Sequence, residues 1–272
     1  MAVFRKIHGM QSAFLFILMG CFLILSQNSM ADFFGQVKTG LQYIASDRYG
    51  YSLFVPSDYS PEQSWPLVIA LHDEGGKGEE YIQTWLEEAK KRGLILLCPT
   101  YPVPRDNPFD NDKRILKLKR LVEHQYLINP KRILIVGFGF GGHYAFYLGF
   151  RYPSEFSSVA SIGDGLIGRF TKMFRTSYAE VHRLPFLMLV PTNAELQTSE
   201  YLEELEAMRK RGYRIEVSRA DGWEANKSFI GNSYILGWFD QAARDRERQN
   251  EQRSPKVKEK VLEWLDQLFQ NL

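Results

Sequence analysis

Eight short strand-like runs, several of them apolar throughout and the later ones separated by segments of helical periodicity, constrain the fold of this chain more than any other feature. The runs are Leu41 to Ala45, Tyr51 to Val55, Leu67 to Leu71, Leu94 to Cys98, Ile133 to Gly137, Ser158 to Ile162, Phe186 to Val190 and Arg214 to Val217. Several are apolar at every position instead of alternating, which is the pattern of strands covered on both faces. Helical patterns at Gly78 to Arg92, Asp112 to Tyr126, Gly141 to Arg151 and Ser199 to Arg211 lie between them, with Gly93 and Gly212 placed to stop two of these helices. Strand-helix alternation of this length predicts an α/β fold with a mostly parallel, doubly wound sheet of about eight strands. The first two runs have too short a connection for a crossover helix and predict an antiparallel edge.

With 272 residues, 44% of them hydrophobic, the chain can bury one sizeable core. Residues 1–31 read as an export signal. Arg5 and Lys6 precede an apolar run from Ala13 to Leu25, and Ser29-Met30-Ala31 offers small residues for cleavage near Ala31. That run is short of the ~20 residues a spanning helix needs. The expected location is therefore extracytoplasmic, periplasmic or secreted. The alternative is a membrane-anchored chain, through a retained segment or through lipidation of Cys21, where Leu18-Met19-Gly20-Cys21 resembles a lipobox. A membrane is a partner only in those two cases. Cleavage would take the formal net charge from +2 to zero, and a balance so near neutral gives no support for a nucleic-acid partner. It would also leave Cys98 as the lone cysteine, within a strand-like run, so it reads as a core residue with neither a disulfide framework nor a cysteine metal site.

Residues 32–240 are the expected domain, and 241–272 a charged linker followed by an amphipathic helix. Arg244 to Arg253 is the mixed-charge stretch, a solvated helix face or a linker, and Ser254-Pro255 has the form of an N-cap with proline at the first helical position. Val257, Val261, Trp264, Leu265, Leu268 and Leu272 then repeat at helical spacing, as in a terminal helix that docks on its own domain, a reading favoured over a partner-binding helix.

Three segments carry a family resemblance over most of Tyr43 to Phe239. They are Val55-Pro56-Ser57-Asp58-Tyr59 with Trp65 to His72, then His72-Asp73-Glu74-Gly75-Gly76, then Arg132 to Gly137 leading into Gly141-Gly142-His143 and Arg151-Tyr152-Pro153-Ser154-Glu155-Phe156. Together they resemble the feruloyl-esterase and polyhydroxybutyrate-depolymerase-like branch of the α/β-hydrolase superfamily. The resemblance implies an α/β-hydrolase-like fold, with His72, Asp73, Glu74, Gly75 and Gly76 as the oxyanion loop and the strand ending at Gly137 as the nucleophile strand.

At the reactive positions the resemblance breaks. Such hydrolases place Gly-x-Ser-x-Gly on a strained strand-to-helix turn. This chain reads Gly137-Phe138-Gly139-Phe140-Gly141, and Gly139 has no atom with which to attack a carbonyl. The acid position falls on Ala194, with Glu195 next to it as a candidate acid, and the histidine position falls near Trp223. The five histidines are His8, His72, His124, His143 and His182, so none follows the acid segment. The implied triad positions Gly139, Ala194 and Trp223 are thus all degenerate, and a Ser-His-Asp relay has neither nucleophile nor base. Asp73 and Glu74 either stand beside the place where an oxyanion would form, opposing it, or face solvent; the sequence leaves both readings open.

The resulting expectation is an exported pseudo-hydrolase, with no cofactor and no metal, that binds a small acyl, phenolic or sugar-like ligand or a partner. Phe138, Phe140 and Trp223 either make the cleft more apolar or pack in the core. One alternative is an active carboxylic-ester hydrolase using unconventional acids among Glu195, Asp164, Asp73 and Glu74. Another is a dinucleotide-binding protein, because Gly137-x-Gly139-x-x-Gly142 follows an apolar run and opens a helix, with Asp164 as the ribose-binding acid. His72 and His143 read as structural.

Overall fold

The computed structural model describes residues 37–46, 49–102, 111–163, 184–191, 199–220 and 228–270. The chain divides into two units, Met1–Lys38 and Thr39–Leu272. The expected signal segment 1–31 lies outside the described residues. All eight expected strands form: β1 (Gly40–Ile44), β2 (Tyr51–Val55), β3 (Trp65–Leu71), β4 (Ile95–Pro99), β5 (Ile128–Phe138), β6 (Ser158–Ile162), β7 (Pro185–Pro191) and β8 (Arg214–Ala220). They make one sheet in the order β1-β2-β4-β3-β5-β6-β7-β8. β2 runs antiparallel to both β1 and β4, and the other pairings are parallel. β5 is longer than its apolar run, because Ile128 already pairs with Trp65 before a register shift brings Ile133 opposite Leu67.

Alternation along β5 shows why the central strands are apolar at every position. Ile133 and Ile135 enter one core with helices α3 (Asp112–Gln125) and α4 (Phe140–Arg151). Leu134 and Val136 enter a second core on the opposite face, with Ile82, Trp85 and part of α6 (Ser228–Gln270). A strand covered on both faces has no position at which a polar side chain reaches water. Cys98 is among the fully buried residues, and burial pushes its thiol pKa up, leaving it a core residue.

Two helical expectations need correction. The segment 78–92 is not one helix but α1 (Gly78–Tyr81), a 3-10 turn over Ile82–Thr84, and α2 (Leu86–Arg92). The Thr84 hydroxyl donates to the Tyr81 carbonyl at 2.8 Å, and Trp85 N–H bonds back to Ile82 O at 3.0 Å, which tightens the turn. The second correction concerns the C-terminus. After α5 (Ser199–Lys210), the mixed-charge stretch takes the helical of its two readings, and α6 runs unbroken for 43 residues through the expected 240/241 boundary and through Pro255, where a new helix was expected to start. Arg, Glu and Gln are good helix formers. Contacts one turn apart support them: Gln241 donates to Asp245, Arg244 donates to Gln241, and Arg248 lies 3.9 Å from Asp245.

The first part of α6 docks. Asn232, Ile235, Leu236, Phe239 and Ala243 are buried at helical spacing. Asp240 clamps the helix to the sheet, accepting from Arg92 at 2.8 Å and from Arg132. Farther along, residues 247–251, Glu263, Trp264 and Gln267 are exposed, Trp264 at 59%, and the side chains of Val257, Val261, Leu265 and Leu268, expected to dock, lie outside the described residues. At 1.5 Å per residue the helix is about 65 Å long, whereas a seven-residue strand spans about 23 Å, so α6 outruns the face it packs on. Among the described residues no helix is long and apolar enough to cross a membrane.

Candidate functional site

The C-terminal end of β5 turns sharply into α4, and Gly139 makes the turn with φ +52° and ψ −120°. An L-residue adopts that combination only under strain. The turn is held by Gly139 N–H to Ile162 O at 3.0 Å and by Gly142 N–H to Gly139 O at 2.9 Å. The flanking glycines are there for packing. A Cβ on Gly137 would overlap the carbonyl of Gly141, and one on Gly141 would overlap the carbonyl of Leu71. The strand-turn-helix geometry of a nucleophile elbow is therefore retained although no nucleophile stands on it.

That vacated position is occupied from across the site. A Cβ placed on Gly139 would lie 2.5 Å from Cγ and 2.7 Å from Oδ2 of Asp73. Asp73 Oδ1 accepts the N–H of Phe140 at 2.7 Å and the N–H of Glu74 at 2.8 Å. These are the two donors an oxyanion hole of this fold calls for, one from the residue after the nucleophile and one from the loop after β3. Here both point at a resident carboxylate, which also sits favourably at the positive end of the α4 dipole. Of the two acids, Asp73 is turned toward Gly139 and Phe140, and Glu74 is exposed. Gly75 and Gly76 build the turn that allows this, with φ +73° at Gly75 and Gly76 N–H bonded to Asp73 O at 3.1 Å.

His72 is buried beneath this loop and has no spare nitrogen. Its Nε2 accepts the Tyr101 N–H at 3.3 Å, so the proton sits on Nδ1 and is donated to Asp73 O at 2.7 Å. The Tyr101 hydroxyl donates to His72 O at 2.6 Å, and the two rings stack 4.2 Å apart. This is the structural histidine expected, an anchor for the loop that carries Asp73. Burial holds its pKa below the ordinary value, against the opposing pull of the Asp73 carbonyl and the Asp73 and Glu80 carboxylates. Between that lowered value and about 6.5 the unfolded chain binds a proton that the folded chain refuses. The stabilisation is thus full above about pH 6.5 and is lost as pH falls through the folded value. Urea midpoints measured from about pH 7.5 down to about pH 5.5 should fall in the native protein, and fall less in His72→Asn. Parallel curves would show that His72 does not titrate in this way.

Phe138 and Phe140 do not form a shared apolar lining. Phe138 packs toward the α6 side of the sheet, and Phe140 toward the α4 side, its ring 6.3 Å from that of Tyr144. His143 is half-buried on α4. Ala194, Glu195, Trp223 and Asp164 lie outside the described residues; they follow the C-terminal ends of β7, β8 and β6, strands parallel to β5. Among the described residues no group of three His, Cys, Asp or Glu is placed to hold a metal. The dinucleotide reading loses its physical basis at the same carboxylate. A pyrophosphate needs the free N–H groups at the start of the helix, and at α4 the Phe140 N–H is held by Asp73.

The occupation of the site by Asp73, and Tyr101 as the partner of His72, are the functional contacts that sequence reasoning missed. The available signal was the glycine itself, since loss of a side chain at a tight elbow leaves room that a neighbouring group can fill.

No family model matches the sequence, and no curated protein matches it. Solved structures do. A thermostable esterase superposes with a TM-score of 0.56 at 20% identity, covering 74% of this chain and 62% of its own. A ferulic acid esterase gives 0.58 at 14% identity, covering 76% and 97%. An S-formylglutathione hydrolase from Staphylococcus aureus gives 0.56 at 11% identity, covering 75% and 99%. With the strand order, the antiparallel first strands and the β5–α4 elbow, these similarities establish that the chain has the α/β-hydrolase fold, as esterases do.

Proposed function

We propose that this protein is a catalytically silent α/β-hydrolase that uses the esterase-type scaffold to bind a ligand without cleaving it. The observation that carries the reading is the pairing of Gly139 with the Asp73 carboxylate, which fills the nucleophile's space and takes both oxyanion donors. Ester hydrolysis on this scaffold needs an attacking atom, a base to receive its proton and donors for the developing oxyanion. Gly139 lacks the first, no histidine follows His182 to act as the second, and Asp73 consumes the third. A fixed negative charge there also repels the charge a tetrahedral intermediate develops.

The ligand class proposed is a small neutral acyl, phenolic or sugar-like molecule, because Asp73 disfavours an anion near the elbow. The N-terminal signature supports action outside the cytoplasm as part of this proposal, with the chain secreted, periplasmic or anchored through residues 1–31 or Cys21. The neighbouring esterases favour a second reading, an ester hydrolase working with other acids. For Asp73 that reading is chemically poor, since its Oδ1 already holds the two N–H donors that a developing oxyanion would need.

The test is a panel of short and medium acyl esters and a feruloyl ester, followed for both turnover and thermal stabilisation, with Asp73→Asn alongside. The expected result is no turnover above the uncatalysed rate and a raised Tm with at least one uncleaved ligand. Reproducible turnover would overturn the reading, and turnover lost in Asp73→Asn would make Asp73 its catalyst. A panel with neither effect would move the role from a small ligand to a partner chain.

A further inference from the structure

A second pocket lies at the other end of the sheet from the elbow. β7 and β8 begin side by side, with Pro185 paired to Arg214, and α6 passes over their N-terminal ends. Between them is a cavity of about 340 Å³, lined among others by Tyr213, Arg214, Glu216, Trp238, Asp245 and Arg246. It holds four charged side chains, two of each sign, but the signs are not equally satisfied.

Both carboxylates are engaged. Glu216 accepts the Trp238 indole N–H at 3.1 Å, and Asp245 accepts the Gln241 amide at 2.8 Å with Arg248 at 3.9 Å. The guanidiniums are not matched by acids. Arg246 is half-buried and donates to two neutral backbone carbonyls, Ser157 O and, at 3.2 Å, Lys131 O. The Arg214 side chain is exposed and makes no hydrogen bond or ion pair among the described residues. Burial lowers the Arg246 pKa, the like charges of Arg214 and Arg132 lower it further, and the Glu247 carboxylate opposes them without reversing the shift. Arg132 is itself committed to Asp240. A desolvated guanidinium with like-charged neighbours gains from an anion more than an exposed one does. The planar fork of an arginine suits the paired oxygens of a carboxylate or phosphate. Beside the two arginines, Trp238 and Tyr213 offer aromatic surface to the body of a ligand.

We propose that this pocket binds a small oxyanion carried on an aromatic or apolar body, an aryl carboxylate or phosphate monoester, with Arg214 and Arg246 at the charge and Trp238 and Tyr213 along the body. The site is separate from the elbow and does not depend on whether the elbow is catalytic.

Calorimetric titration of the full chain with phenyl phosphate, benzoate and inorganic phosphate tests this. Phenyl phosphate or benzoate should bind saturably and more tightly than inorganic phosphate. Arg214→Ala should weaken that binding roughly tenfold or more, the loss expected for one hydrogen bond to a charged group, while leaving the Tm unchanged. Arg214→Lys should recover only part of the affinity, because an ammonium keeps the charge without the fork. Absence of saturable binding by the native chain would overturn the proposal. So would binding that Arg214→Ala does not weaken, or inorganic phosphate binding as tightly as the aryl ligands.

Discussion

Gly139→Ser is expected to destabilise the protein by about 3 kcal/mol or more and to return no ester hydrolysis. Two costs combine. A side chain at φ +52° and ψ −120° costs roughly 1–3 kcal/mol when nothing compensates it. The new Cβ would also fall among the atoms of the Asp73 carboxylate, and forced overpacking costs about 1–3 kcal/mol. To make room, Asp73 must leave the N–H groups of Phe140 and Glu74, which removes a cap from α4. The introduced hydroxyl would still have no histidine to take its proton, since none follows His182. Urea denaturation and an ester assay on the same preparation check both halves. A stable, active Gly139→Ser protein would mean that a base exists elsewhere.

Phe239→Ala is expected to cost about 3–5 kcal/mol, the range for emptying a fully buried aromatic site. Phe239 is completely buried against the sheet from α6, one residue before the Asp240 clamp and beside the Arg132 guanidinium, 5.5 Å from its ring centroid. A loss of this size, read by denaturation, would show that α6 is an integral part of the domain. A loss under about 1 kcal/mol, the scale of surface substitutions, would instead mean that the helix is held loosely.

The sheet was legible in the sequence because its strands are buried on both faces, and continuous apolar runs such as Val68 to Leu71 have few other uses. The elbow was legible because Gly137 and Gly141 answer to steric demands that no other residue meets. The occupant of the elbow was not. Asp73 reaches Gly139 across a long stretch of sequence, through the parallel pairing of β3 with β5, and no local periodicity reports such a contact. The choice between a carboxylate facing in and one facing out depended on the turn at Gly75, where Asp73 faces the site and Glu74 faces water. The C-terminal helix was misdivided for a different reason. Ser254-Pro255 has the local chemistry of a helix start, but the helix-forming residues before it carry α6 straight through. The pocket under α6 draws Arg214 from the start of β8, Tyr213 from just before it, and Trp238 and Arg246 from α6, so it appears only once β8 and α6 are packed.

Asp73 and any side chain at position 139 compete for one space, and a double-mutant cycle measures that competition. The stability cost of Gly139→Ser would be determined by urea denaturation in the native background and again in Asp73→Ala. The predicted result is a cost smaller by about 1–2 kcal/mol when the carboxylate is absent, within the range found for residues in direct contact. Additive costs, equal within about 0.5 kcal/mol, would contradict the account, because they would mean that the carboxylate does not occupy the nucleophile's place.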